Sequence, residues 1–120
     1  MKLVENPIRL NASLHKMLPY TVRYLYGKSA VKTFRLYTLG SVHVHYIEGF
    51  KSIDVVMTHE KRNIRQDEID FVIGKLFSDT ETAQLTVNHA AKDEIEGQVH
   101  HKIGVHDLVI ISLPVAHSAA

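Results

Sequence analysis

Residues Val42-His43-Val44-His45-Tyr46-Ile47-Glu48 and Lys51-Ser52-Ile53-Asp54-Val55-Val56-Met57-Thr58 flank the dipeptide Gly49-Phe50. Their apolar side chains recur at every second position, the period of a strand with one face turned to a core. With Gly49-Phe50 as a two-residue hairpin loop, glycine occupies the first central position, as a type II′ turn requires. That register sets Glu48 opposite Lys51, Tyr46 opposite Ile53, Val44 opposite Val55 and Val42 opposite Met57, so six apolar side chains share one face. The other face then pairs His45 with Asp54 and His43 with Val56.

The meander extends back to Val31. A three-residue loop of Leu39, Gly40 and Ser41 aligns Leu36 with Val44 and Phe34 with Tyr46, and places Arg35 and Tyr37 beside the histidines; a two-residue loop would invert that face. Downstream, Asn63 and Gln66 have capping-box spacing, with Asp67 and Glu68 in the first turn, where the helix dipole favours carboxylates. Ile69, Val72, Ile73, Leu76 and Phe77 follow the helical i, i+3, i+4, i+7, i+8 spacing, predicting a helix that covers the apolar face.

Further out, Lys2 to Glu5 reads as a strand ended by Asn6-Pro7. Asn11 can cap a helix burying Leu14, Met17 and Leu18, which Pro19 interrupts and which resumes from Tyr20 to Tyr26 before Gly27. In the last third, Ala83 to Val87 alternates like a half-exposed strand, Ala90 to Glu96 is one helical turn or a loop, and Val99 to Val105 suggests another strand. Leu108 to Leu113 is a continuous apolar run of the kind buried on both faces, and Pro114 ends it. The expected fold is α+β: one domain over residues 1–116, an antiparallel sheet with a central three-strand meander between two helices, in the order β-α-β-β-β-α-β-β-β. Residues 117–120 are expected to form a flexible tail.

Composition narrows the function classes. At 120 residues the chain can bury one core but not two, and its 45% hydrophobic and 22% charged residues are ordinary for a globular protein. A net charge of +1 argues against a polyanion binder. The absence of cysteine excludes disulfides, thiolate metal sites, iron–sulfur clusters and cysteine nucleophiles. No secretory leader or membrane-length apolar run is visible, so a cytoplasmic setting is expected. No glycine-rich nucleotide loop or serine elbow is present either.

Nine histidines are the compositional anomaly. His43 and His45 leave one strand face together, and Asp54 or His59 can supply a third ligand, which makes His43, His45 and Asp54 a candidate divalent-metal site. Equally, the two histidines can be the polar half of a strand whose other half is core. His45 with Asp54 can also form an acid–base dyad, although no nucleophile lies near it in the sequence. A second cluster, His100, His101 and His106 with Asp107, has no metal-ligand spacing, because adjacent strand residues point to opposite faces.

Lys61, Arg62 and Arg65 form a basic patch ahead of the best helix, where exposed amides and cationic side chains can hold a phosphate or other anion. Asp67, Glu68 and Asp70 oppose it. The order helix, three strands, helix is similar to that of double-stranded-RNA-binding domains, but their lysine-rich helix start is replaced here by Gln66-Asp67-Glu68.

Met1-Lys2-Leu3-Val4 and the block Val42 to Leu76, especially Lys61-Arg62-Asn63-Ile64 and Glu68-Ile69-Asp70-Phe71, resemble a small uncharacterised family of lactic acid bacteria. The resemblance implies a bacterial cytoplasmic protein and carries over no activity and no site residue. The expectation from sequence is a non-enzymatic binding or regulatory domain acting through a protein partner or a homodimer. Tyr20, Tyr24, Tyr26, Tyr37 and Phe50 exceed what the expected core needs, and aromatics are enriched at interfaces. The leading alternative is a histidine-based divalent-metal protein with hydrolytic capacity; the third is RNA binding.

Overall fold

The computed structural model describes residues 1–7, 32–89 and 105–115. The expected helical segment between Asn11 and Gly27, the 90–96 segment, most of the 99–105 strand and the 117–120 tail lie outside these residues, as do Tyr20, Tyr24, Tyr26, His100 and His101.

Period-two alternation produces the strands β1 (Leu3–Asn6), β2 (Thr33–Leu39), β3 (Val42–Glu48), β4 (Ser52–His59), β5 (Thr86–His89) and β6 (Asp107–Pro114). They form one six-stranded sheet in the order β1-β2-β3-β4-β6-β5, with each neighbouring pair antiparallel. Between β4 and β5 lie helices α1 (Gln66–Leu76) and α2 (Asp79–Thr82). The architecture is α+β, and among the described residues no helix is long and apolar enough to cross a membrane.

The six apolar residues of β3 and β4 do share one face. Ile64, Ile69, Val72 and Phe77 from the α1 region join Val42, Val44, Val55, Met57, Val109 and Ile111 in the main core cluster, with Tyr46 and Ile53 at its margin. Ile69 and Val72 are fully buried, each worth about 1.5–3 kcal/mol of apolar transfer. The helix therefore covers the face its periodicity was expected to cover.

Both hairpin registers differ from expectation. In β3–β4, Glu48 pairs with Ile53 and His45 with Val56, so the connection runs through four residues, Gly49 to Ser52, closed by the Gly49 N–H to Ser52 carbonyl bond at 2.9 Å. The shift is two residues, which preserves the faces but sets Ile47, not His45, opposite Asp54. In β2–β3, Leu39 pairs with Val42 across the two-residue loop Gly40-Ser41. Gly40 takes φ 57°, the left-handed value that glycine adopts freely at the first position of a type II′ loop. The turn chemistry expected at Gly49 thus operates at Gly40. This one-residue change inverts β2: Arg35 and Tyr37 lie on the core-cluster side, the Arg35 guanidinium 5.6 Å from the Tyr46 ring centroid, while Phe34 and Leu36 join the histidines.

The histidine-bearing face is not a solvent face either. Ile47, Val56 and Leu108 are essentially inaccessible, and Phe34, His45, Asp54 and Thr58 are buried with them. The central strands are buried on both sides.

Two further boundaries move. The N-cap of α1 is Arg65 rather than Asn63, because Glu68 reaches back to accept the Arg65 backbone N–H at 2.9 Å. The strand expected at Ala83 begins at Thr86, since Ser78 and Glu81 form a reciprocal capping box that starts α2 and carries the chain through Ala83 in a turn. Leu108 to Leu113 is an interior strand as expected, lying between β4 and β5.

Candidate functional site

The loop of residues 60–65, between β4 and α1, is held by side chains from three elements. At the end of β4, His59 accepts the backbone N–H groups of Lys61 (3.0 Å) and Arg62 (3.1 Å) on Nδ1. At the start of β6, buried Asp107 accepts the Ile64 N–H at 2.8 Å and the Leu108 N–H at 3.0 Å. From α1, Glu68 takes the Arg65 N–H and forms a bidentate pair with Arg62 at 2.8 and 2.9 Å. His106 Nε2–H donates to Asn63 Oδ1 at 3.0 Å, and the His106 backbone N–H to the His59 carbonyl at 2.8 Å.

This network changes what the basic patch can do. The amides of Lys61, Arg62, Ile64 and Arg65 are already taken by protein acceptors, so a phosphate cradle of backbone N–H groups is not on offer. What the loop presents is side chains. A cavity of about 390 Å³ is lined by Met1, Lys2, Leu39, Gly40, Ser41, Arg62, Arg65 and Glu68, bringing the β2–β3 turn, the chain before β1 and the start of α1 together. Of the three residues expected to contact an anion, Arg62 and Arg65 line it and Lys61 does not. The Arg62 guanidinium holds the Glu68 carboxyl down to about 2, so Glu68 remains ionised and Arg62 remains paired. Arg65 pairs with exposed Asp67 at 3.0 Å, a contact that water screens.

The Ser41 hydroxyl lies 2.8 Å from His59 Nε2. Because Nδ1 accepts two amide protons, the ring proton is on Nε2, and His59 donates to Ser41 Oγ. A serine nucleophile needs the reverse, an imidazole lone pair facing its proton. Burial, with the charge of Arg62, also pushes the His59 pKa below its ordinary value.

The expected metal residues are brought together only in part. His43 and His45 share a face with ring centroids 6.5 Å apart, His43 exposed and His45 buried. His45 Nδ1–H donates to the Val56 carbonyl at 3.0 Å, and burial lowers the ring pKa to about 4. Asp54 is opposite Ile47, and its buried Oδ1 has no hydrogen-bond partner among the described residues. His59, the other expected third ligand, has both ring nitrogens engaged. Among the described residues no group of three His, Asp or Glu side chains is placed to hold one ion.

Sequence reasoning gave Lys2 and Ser41 no site role, read Glu68 only as a first-turn acid opposing the basic patch, and read Asp107 only as part of the second histidine cluster. Lys2 and Ser41 carry no local signal and reach the cavity through strand pairing. Glu68 was recognisable as a first-turn acid, and its place three residues after Arg65 was the available cue. Of the aromatics expected at an interface, Phe50 is exposed at the β3–β4 connection and Tyr37 packs against the core cluster.

No curated protein matches the sequence. Over 98% of this chain and 99% of its own, a conserved protein of unknown function from Streptococcus thermophilus LMG 18311 has a similar crystal structure, with a TM-score of 0.60 at 16% identity. That likeness is one of fold. Residues 17–99, more than half of the chain, match the family described as Domain of unknown function (DUF1827), and the chain belongs to that family.

Proposed function

We propose that the chain is a non-enzymatic binding domain that takes an anionic group of its ligand or protein partner in the cavity between the β2–β3 turn and the start of α1. The observation that carries this reading is the convergence of Lys2, Ser41, Arg62 and Arg65 on one cavity of about 390 Å³. A volume of that size suits a small ligand or a single side chain. The reading is non-enzymatic because the Ser41–His59 pair holds its proton on the nitrogen that nucleophilic catalysis would need bare. Glu68 and Asp67 offset most of the local positive charge, which suits one anionic group rather than a nucleic-acid backbone. A cytoplasmic setting fits this reading, as does docking by a homodimer or a second protein through an acidic side chain.

The test is a titration with inorganic phosphate followed by amide NMR. Saturable shifts confined to residues around Ser41, Arg62 and Arg65 are expected, weakened by Lys2→Ala and Arg65→Ala. Shifts that never saturate, or that ignore both substitutions, would reject the site. Light scattering across concentration separates self-association from a heterologous partner.

A second reading, a divalent-cation site at His43 and His45, is favoured by one observation. The Nδ1–H of His45 donates to the Val56 carbonyl, the orienting bond typical of a metal-ligating histidine, and this leaves Nε2 with its lone pair. Zinc titration of the wild type against His43→Ala decides it: equal affinity removes the reading.

A further inference from the structure

The chemistry of the cavity's ligand follows from a proton position. Ser41 has one hydroxyl proton and two lone pairs, and one lone pair already receives the His59 Nε2–H at 2.8 Å. His59 cannot exchange roles, because Nδ1 is the acceptor for two backbone amides at 3.0 and 3.1 Å. The Ser41 hydroxyl therefore cannot donate to His59, and its proton is left for something else. Ser41 is exposed on the tight Gly40-Ser41 turn and lines the cavity beside Arg62 and Arg65. An anion accepts this proton and pairs with a guanidinium, and an oxyanion does both at once through separate oxygens. Leu39 and Met1 add apolar wall to a volume larger than a bare oxyanion fills.

We propose that the cavity binds a small organic oxyanion, its charged oxygens taken by the Ser41 hydroxyl and the Arg65 guanidinium and its apolar body lying against Leu39 and Met1, with His59 as the positioning residue that fixes Ser41 as a donor. This rests on the anion-binding reading above and adds to it a ligand class and two residue roles. No bond is made or broken. Phosphoryl, sulfuryl and carboxylate groups all accept from both donors; a cation does not, and a halide has no body to lie against Leu39 and Met1.

Binding of phenyl phosphate and of inorganic phosphate at pH 7.5, compared by amide NMR in the full chain, tests each part. Phenyl phosphate is expected to bind several-fold more tightly than inorganic phosphate. Ser41→Ala should weaken phenyl phosphate by about ten- to a hundredfold, the scale of a lost hydrogen bond to a charged group, and Ser41→Thr should restore it. His59→Asn keeps an acceptor where Nδ1 stands and removes the Nε2–H, so the loop stays capped while affinity falls about two- to threefold. Side-chain nitrogen spectra should show His59 protonated on Nε2 alone.

The outcomes separate the two claims. If neither phosphate binds, or if Arg65→Ala changes nothing, the anion-binding reading itself is wrong. If Arg65→Ala weakens binding while Ser41→Ala does not, the cavity stands and the serine donor is wrong. A His59 ring protonated on Nδ1, or unchanged affinity in His59→Asn, removes the positioning role. Equal affinity for the two phosphates removes the organic body.

Discussion

At the scale of single residues, His45 gives the sharpest prediction because it is a buried base. Its pKa falls from 6.5 to about 4, chiefly through burial, so the native ring stays neutral where the unfolded ring takes a proton. The unfolded state then binds more protons between those values, and stability must rise with pH across that window. The contribution is fully present above pH 6.5 and is lost as pH falls toward 4, to a total of about 3 kcal/mol at 1.36 kcal/mol per unit. Urea unfolding at pH 4.5 and 7 should show the loss in the wild type. His45→Asn, which keeps a donor for the Val56 carbonyl but does not titrate, should lack it; an equal loss in that variant would clear His45 of the effect. Glu68, with its pKa pulled down from 4.5 to about 2 chiefly by Arg62, acts in a separate window. Its stabilisation is present above pH 4.5 and disappears as pH falls toward 2, so Glu68→Gln should flatten the stability curve only below pH 4.5. The histidine face was legible as a set of residues, since His43 and His45 do leave one strand together. Its environment was not: nothing local to His45 announces that the ring is buried. Still less does the local sequence join Ser41 to His59, which meet because two hairpins bring the ends of their strands side by side.

At the scale of elements, the two hairpins separate what alternation determines from what turn geometry determines. Alternation in β3 and β4 assigns each side chain to a face, and a two-residue error in register leaves every face intact, which is why the apolar face survived while the His45–Asp54 pair did not. An odd shift has no such protection. Placing Leu39 in the first loop rather than at the end of β2 moved Phe34, Arg35, Leu36 and Tyr37 to the wrong sides. The deciding residue is Gly40, where φ 57° lets a two-residue loop close. No atom lies within 4 Å of a methyl group added there, so Gly40→Ala is a backbone test free of steric clash. It should cost about 1 kcal/mol through the left-handed φ alone. Gly74 is the opposite case, an exposed residue inside α1 with nothing within 4 Å of an added methyl. Gly74→Ala should stabilise by about 0.5–1 kcal/mol. Denaturant midpoints of the two variants should move in opposite directions, and a common direction would show that the turn does not require a positive φ.

At the scale of the whole molecule, the sheet is buried on both faces through its centre, and this bears on any surface assigned to the histidines. The order β4-β6-β5 explains part of it: β6 inserts between strands that precede it in the chain, and its pairing with β4 connects residues 48 to 62 positions apart, which no local pattern specifies. Yet the run Val55-Val56-Met57 carried a cue, since three successive apolar residues in a strand load both faces rather than one. Val55 belongs to the core cluster with α1, whereas Val56 pairs with His45 on one side and Ile110 on the other. Both side chains are wholly inaccessible. Val55→Ala and Val56→Ala should therefore each destabilise by about 2 kcal/mol, from the lost transfer free energy plus an unfilled cavity. If the histidine face were the solvated side of a two-layer fold, only Val55→Ala would be costly and Val56→Ala would stay within about 0.5 kcal/mol, the usual range for a surface position. Urea unfolding of both variants under one condition decides it. Equal losses would place His45 and Asp54 inside a second core, where ligand access is restricted, and would direct the search for binding to the cationic cavity instead.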